Sequence, residues 1–164
     1  SDLAITWHYI GGIQSNKTRD IAMHFDWVHS IDRLKIAQRL SEQRPADKPP
    51  LQVCLQINIS NEPGKSGIAL SELHQLAAAV SQLPRLQLRG LMALPHASDD
   101  ISQQRLAFRQ MHQTFMQLQA QGFMLDTLSM GMSGDMEAAV AEGSTLLRIG
   151  TAIFGERPAT HQIK

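Results

Sequence analysis

The sequence predicts an α/β fold built on a parallel sheet. Six apolar segments rich in β-branched or large side chains recur along the 164 residues. Their starts are spaced by roughly 28 residues, about the size of one βα unit. Several are near-continuously apolar, as strands buried on both faces should be. Stretches with helical periodicity lie between them. An open doubly wound sheet and a (β/α)8 barrel both satisfy this spacing.

The first strand is expected over residues 4–10, followed by a short helix over 16–24 that is polar on one side. A second strand over 27–31 leads into a helix over 30–40, with Ser30 as a cap-type residue and Asp32 in the first turn. Leu34, Ala37 and Leu40 share one face of that helix. Residues 45–50, bounded by Pro45 and Pro50, form a surface loop rather than a domain boundary. The third strand spans 51–59. The helix over 71–83 is the cleanest: Ser71 can cap it, Leu73, Leu76, Ala77 and Val80 make its buried stripe, and Pro84 stops it. After a fourth strand over 86–94, the helix over 101–121 carries Phe108, Met111, Phe115 and Leu118, with Gly122 as its stop. This Met and Phe stripe reads as core. A fifth strand over 125–130 is followed by an alanine-rich helix over 135–142, ended by Gly143, and a sixth strand over 145–154.

Composition narrows the function classes. Fifteen basic and fifteen acidic side chains leave no net charge, which argues against a nucleic-acid groove or an anionic membrane surface as the main partner. No window approaches the roughly 18 uninterrupted apolar residues of a membrane span. No basic run followed by an apolar stretch opens the chain, so no secretory signal is expected. The lone cysteine, Cys54, cannot form an internal disulfide, which favours a reducing, cytoplasmic setting. It sits mid-strand and reads as a small core residue rather than a nucleophile.

In either parallel architecture, ligands meet the C-terminal ends of the strands. The segments to weigh are therefore Gly11-Gly12-Ile13-Gln14-Ser15-Asn16-Lys17, then Asn58, Ser60 and Asn61 with the loop Pro63-Gly64-Lys65-Ser66-Gly67, then Ser129 to Asp135, and Arg148-Ile149-Gly150-Thr151. The last two make the strongest pair. Met130-Gly131-Met132-Ser133-Gly134 is a small-residue turn opening a helix near Asp135. Its N–H groups and the Ser133 hydroxyl suit a phosphate dianion. The next strand supplies Gly150 and Thr151, a bare backbone and a second hydroxyl. Arg148, two residues before Gly150 on the expected strand, points to the same face. A cation inside a parallel barrel must be paired or hold a ligand. From spacing alone, Ser133 could equally cap a helix and Arg148 pair with a buried acid. Lys65 lacks the first glycine of a phosphate-binding loop, which leaves a mobile loop as the plainer account. His8 could contact ligand or be a hydrogen-bonded core histidine. His24 and His29 are five apart and share no helical face, and no metal-binding spacing occurs.

Seven motifs occur together in order: Trp7-His8-Tyr9-Ile10-Gly11, Gln14-Ser15-Asn16-Lys17, Gln56-Ile57-Asn58-Ile59, Gly64-Lys65-Ser66-Gly67-Ile68, Arg89-Gly90-Leu91-Met92, Ser129-Met130-Gly131-Met132-Ser133 with Asp135-Met136-Glu137-Ala138-Ala139, and Arg148-Ile149-Gly150-Thr151-Ala152-Ile153-Phe154-Gly155. Across about residues 5–157 the chain thereby resembles the pyridoxal phosphate homeostasis proteins, small relatives of the alanine racemase barrel. The resemblance implies a (β/α)8 barrel, of which residues 1–157 would be a partial domain with the last six strands and 158–164 a tail. It implies pyridoxal 5′-phosphate at the C-terminal mouth, carried and buffered without an established turnover, with pyridoxal-phosphate-dependent enzymes as clients. Ser133, Gly150 and Thr151 would cradle the phosphate, and Arg148 would face the pyridine nitrogen. No catalytic residue is assigned. The family's Schiff-base lysine lies in a Ser-Lys-Thr-like run that this sequence lacks; its lysines are at 17, 35, 48, 65 and 164. The chain is then expected to be a truncated barrel starting at the third strand of a fold of roughly 220 residues. Its exposed strand edges would favour self-association. Two other functions share parts of this pattern. An amino-acid racemase would need a second acid–base residue, and the one tyrosine, Tyr9, lies in a strand. A barrel enzyme acting on a sugar or indole phosphate would need a carboxylate and lysine pair at the strand ends.

Overall fold

Parallel pairing in strict sequence order organises the computed structural model, which describes residues 3–60 and 64–155. The strands are β1 (His8–Tyr9), β2 (Trp27–Ile31), β3 (Leu51–Ile57), β4 (Leu86–Ala93) and β5 (Thr127–Ser129), each pairing with the next. A 3-10 turn at Ser15–Lys17 precedes α1 (Thr18–His24); then come α2 (Leu34–Gln43), α3 (Leu70–Ser81), α4 (Ile101–Ala120), α5 (Met136–Ala141) and α6 (Thr151–Phe154). A doubly wound sheet reverses its strand order at a switch point, and this one does not. The five strands form a half-barrel with helices in the connections. The tail expected over 158–164, and the loop residues Asn61 and Pro63, lie outside the described residues.

Four expectations need correction. The sixth strand does not form as a strand: it reduces to one parallel bridge, Ser129 to Leu146. Leu146 N–H donates to the Leu128 carbonyl at 3.3 Å, and Arg148 N–H to the Gly131 carbonyl at 2.9 Å, so the segment does run beside β5. It then folds away, because the Gly150 carbonyl takes the N–H groups of Ile153 and Phe154 and starts α6. The first strand shrinks to two residues, with Leu3, Ile5 and Trp7 exposed at the sheet edge. Ser30 belongs to β2, where its hydroxyl donates to the Gly11 carbonyl at 2.6 Å; Arg33 occupies the start of α2. Ser71 lies inside α3, which begins after Ala69 without a side-chain cap. α4 does have such a cap: the Asp100 carboxylate accepts the Ser102 N–H at 2.8 Å.

The core lies between the strands and the helices. Val28, Leu51, Val53, Leu55 and Leu91 of the sheet meet Ile36, Leu40, Leu76, Val80, Phe108 and Met111. Each such side chain contributes about 1.5–3 kcal/mol through burial. Cys54 is fully buried and its thiol is pushed up to about 12 by desolvation, which makes it unreactive. Arg44 is buried, and no carboxylate among the described residues forms an ion pair with it. Its guanidinium donates to the Ala22 and Phe25 carbonyls at 2.8 and 2.7 Å, at the C-terminal end of α1, and to the Pro49 carbonyl, which ties down the 45–50 loop. Glu142 clamps α5 to α4: hydrogen bonds from Arg109 and then Arg105 hold its carboxyl down to about 2. No helix of the described residues is long and apolar enough to cross a membrane.

Gly90 is fixed by close approach. It pairs with Thr127, and a Cβ on it would lie 1.6 Å from the Thr127 carbonyl oxygen. Backbone, unlike a flexible side-chain tip, cannot yield. Gly90→Ala is expected to lower stability by about 3 kcal/mol or more, measured as the midpoint of urea unfolding. An unchanged midpoint would mean that β4 and β5 are not held this close.

Candidate functional site

At the C-terminal ends of the strands the turn after β5 is shaped by its own backbone. Gly131 has φ +99°, and a Cβ there would lie 2.6 Å from the Ala139 Cβ and 2.7 Å from Leu147 Cδ2. The Ser144 hydroxyl donates to the Met130 carbonyl at 2.6 Å, holding the turn against the returning chain. These constraints bring Met132 and Ser133 to the wall of one cavity beside Arg148, Gly150 and Thr151.

All four residues singled out by sequence line one cavity of about 820 Å³. His8, His29 and Phe154 line it too. It is larger than a cavity of about 550 Å³ elsewhere and than two of about 650 and 620 Å³ that share Ser133, or Ile10 and Leu94, with it. Arg148 Nη1 donates to Ser129 Oγ at 2.7 Å and Nη2 to the Ala93 carbonyl at 2.8 Å. No carboxylate among the described residues forms an ion pair with it. Burial lowers its pKa, and Asp135 opposes that shift. Pairing with a buried acid is therefore not how this cation is held.

At the turn before α5, the Asp135 carboxylate accepts the Met132 N–H at 2.6 Å, which takes one N–H of this turn. Ser133 does not cap α5. Its Oγ accepts the Ala152 N–H at 3.1 Å, at the start of α6. The Thr151 hydroxyl has no hydrogen-bond partner among the described residues. A Cβ built on Gly150 would meet no atom within 4 Å, so the backbone is bare where it borders the cavity. Because Gly150 already begins α6, the alternation of a strand does not relate it to Arg148; the turn brings both to the cavity.

A polar chain continues from Arg148 into the half-barrel, and its members escaped the sequence reading as a unit. Ser129 Oγ lies 2.8 Å from His29 Nδ1, and His29 Nε2 lies 2.8 Å from His8 Nδ1. His8 stacks on Trp27 with ring centroids 5.3 Å apart. The Arg89 guanidinium sits 4.9 Å from the Trp27 ring and is bound in turn by Asp126 and Gln52. The available signal was the alternation in β2, where Trp27 and His29 face inward between Val28 and Ser30. His8 is hydrogen-bonded to His29 and also lines the cavity.

The remaining candidates do not line this cavity. Lys65 and Ser66 border the cavity of about 620 Å³ with His96, which adjoins it across the shared walls Ile10 and Leu94. Lys17, Lys35 and Lys48 are exposed. The Tyr9 hydroxyl donates to the Gly12 carbonyl at 3.2 Å. No group of three or more His, Cys, Asp or Glu among the described residues could hold a metal ion.

The sequence and fold have close counterparts. The profile of the alanine racemase N-terminal domain family matches residues 2–158. The pyridoxal phosphate homeostasis protein of Pseudomonas aeruginosa is 60% identical over 157 residues, which are 96% of this chain and 67% of that protein. Its Escherichia coli K12 namesake is 60% identical over 153 residues, 93% of this chain and 65% of that protein. The chain thus spans about two-thirds of the length of these curated relatives. Among solved structures, PipY of Synechococcus elongatus with pyridoxal phosphate bound superposes with a TM-score of 0.85 at 37% identity, covering 94% of this chain and 72% of PipY. An alanine racemase from Clostridium difficile, at 14% identity and a TM-score of 0.77 over 97% of this chain and 42% of its own, shares the fold.

His29 gives a test that needs no ligand. Burial, then His8 and Arg148, hold it down to about 4 from the usual 6.5. Between those values the unfolded chain binds more protons than the folded one. The contribution of His29 to stability is therefore complete above pH 6.5 and is lost as pH falls toward 4. NMR titration is expected to find His29 uncharged at about pH 5. A midpoint near 6.5 would show that it is hydrated.

Proposed function

Because this chain belongs to the alanine racemase N-terminal domain family, and within it to the pyridoxal phosphate homeostasis proteins, we propose that it binds pyridoxal 5′-phosphate and serves to carry and buffer it. The observation that carries this reading is the Arg148 cation, unpaired by any described carboxylate and facing a cavity beside Ser133, Gly150 and Thr151. The cavity volume lies within the range of small-molecule sites. The bare backbone at Gly150 and the available Thr151 hydroxyl suit a phosphate group. Residues 1–157 are read as one partial (β/α)8 domain with its last six strand positions, the sixth held by the segment beside β5.

When bound, pyridoxal phosphate supplies an electron-withdrawing pyridine ring and an aldehyde. In this reading Ser133, Gly150 and Thr151 hold the phosphate, and Arg148 faces the ring nitrogen. A guanidinium only donates, so Arg148 keeps that nitrogen unprotonated. The ring is then a weaker electron sink than one facing a carboxylate. Muted chemistry suits a protein that delivers the vitamer intact.

Two substitutions test the reading in the full-length protein. Arg148→Ala is expected to weaken pyridoxal phosphate binding about tenfold or more, as loss of a charged hydrogen-bond donor does. Thr151→Val is expected to weaken it about three- to tenfold. Equilibrium dialysis reads both. Unchanged retention in the two variants would remove the site from this cavity.

A further inference from the structure

We propose that Ser129 and His29 are positioning residues for Arg148, linked with His8 in a hydrogen-bond chain that runs in one direction, Arg148 to Ser129 to His29 to His8. The inference rests on the cofactor role proposed for this cavity, and it adds how the cation is aimed.

Donor counting sets the direction. A guanidinium has no acceptor, so Arg148 Nη1 donates to Ser129 Oγ at 2.7 Å. The hydroxyl proton of Ser129 then needs an acceptor, and His29 Nδ1 lies 2.8 Å away. Accepting at Nδ1 makes His29 the Nε2–H tautomer, which donates across 2.8 Å to His8 Nδ1. In the opposite direction, His29 Nδ1–H would point at an oxygen that already accepts from Arg148. The Ser129 proton would then be stranded. Ser129 and His29 are each 0% exposed, so water cannot rescue a stranded donor, and such a loss is costly.

The charges around the chain agree with it. A protonated His29 would face the Arg148 cation and His8, and all the influences on it favour the neutral ring. His8 is also shifted toward neutrality by burial, with Asp26 opposing. Asp135 is the carboxylate that acts on Arg148, and the Cys54 thiol stays protonated. A neutral imidazole accepting from Ser129 makes its oxygen a better acceptor for the guanidinium, since chained hydrogen bonds polarise one another. With Nη2 anchored on the Ala93 carbonyl as well, the fork is fixed at two points and cannot swing into the cavity.

The experiment uses the full-length protein labelled with 15N in arginine and histidine. Without ligand, His29 is expected to carry its proton on Nε2 with Nδ1 bare. The Nη signals of Arg148 are expected to be separate, marking blocked rotation, and to merge in Ser129→Ala. A proton on His29 Nδ1, or a freely rotating guanidinium in the unsubstituted protein, would overturn the inference. Pyridoxal phosphate binding supplies the second arm. Ser129→Ala is expected to weaken it about three- to tenfold, and to change nothing further when added to Arg148→Ala. Additive losses would overturn the chain while leaving the cofactor reading intact. Binding unchanged by Arg148→Ala would overturn the cofactor reading, and the NMR result would still decide the direction of the chain.

Discussion

Arg148 reaches from the segment beside β5 to the Ala93 carbonyl at the end of β4 and to Ser129 on β5, and through Ser129 and His29 it is joined to β2 and β1. One cation without a carboxylate thus links four of the five strands at the cavity. Removing a charge from water is expensive, and here neutral dipoles offset the cost rather than an anion. That choice has a consequence for chemistry. An ion pair would neutralise Arg148, whereas carbonyl and hydroxyl partners leave its charge available to whatever enters the cavity.

The outer layer keeps that arrangement in place. Glu142 binds Arg105 and Arg109 and so joins α5 to α4. Because α5 follows directly on the turn at Met132 and Ser133, the clamp also limits how far that turn can move. On the other flank, Arg44 closes the end of α1 and the 45–50 loop. None of these three arginines lines the cavity. Arg44 acts at the opposite end of the strands, where α1 runs into β2 and the 45–50 loop into β3.

Much of the organisation was legible along the chain. The apolar runs of β3 and β4 and the stripes of α3 and α4 have strong periods, and burial imposes those periods directly. Caps were less legible. Ser30 and Ser71 are capping residue types, yet one serves β2 and the other sits inside a helix. A hydroxyl bonds whichever backbone group the fold brings near. The sixth strand misled for a related reason. Residues 145–154 are apolar enough for a strand, but the turn at Gly150 sends Thr151–Phe154 into helix.

Ser133, Arg148, Gly150 and Thr151 stood out by type and by place after strands, because a parallel α/β chain presents its ligands there. The one-dimensional pattern therefore determined the α/β class with a parallel sheet and singled out four residues that line one cavity. It did not determine their relations. Asp135 took the Met132 N–H, Ser133 turned toward α6, and His8, His29 and Ser129, distant in sequence, came within hydrogen-bond reach. Periodicity reports which face of an element is buried. Only packing of strands side by side decides which inward-facing donors and acceptors meet, and so what a buried cation is held by.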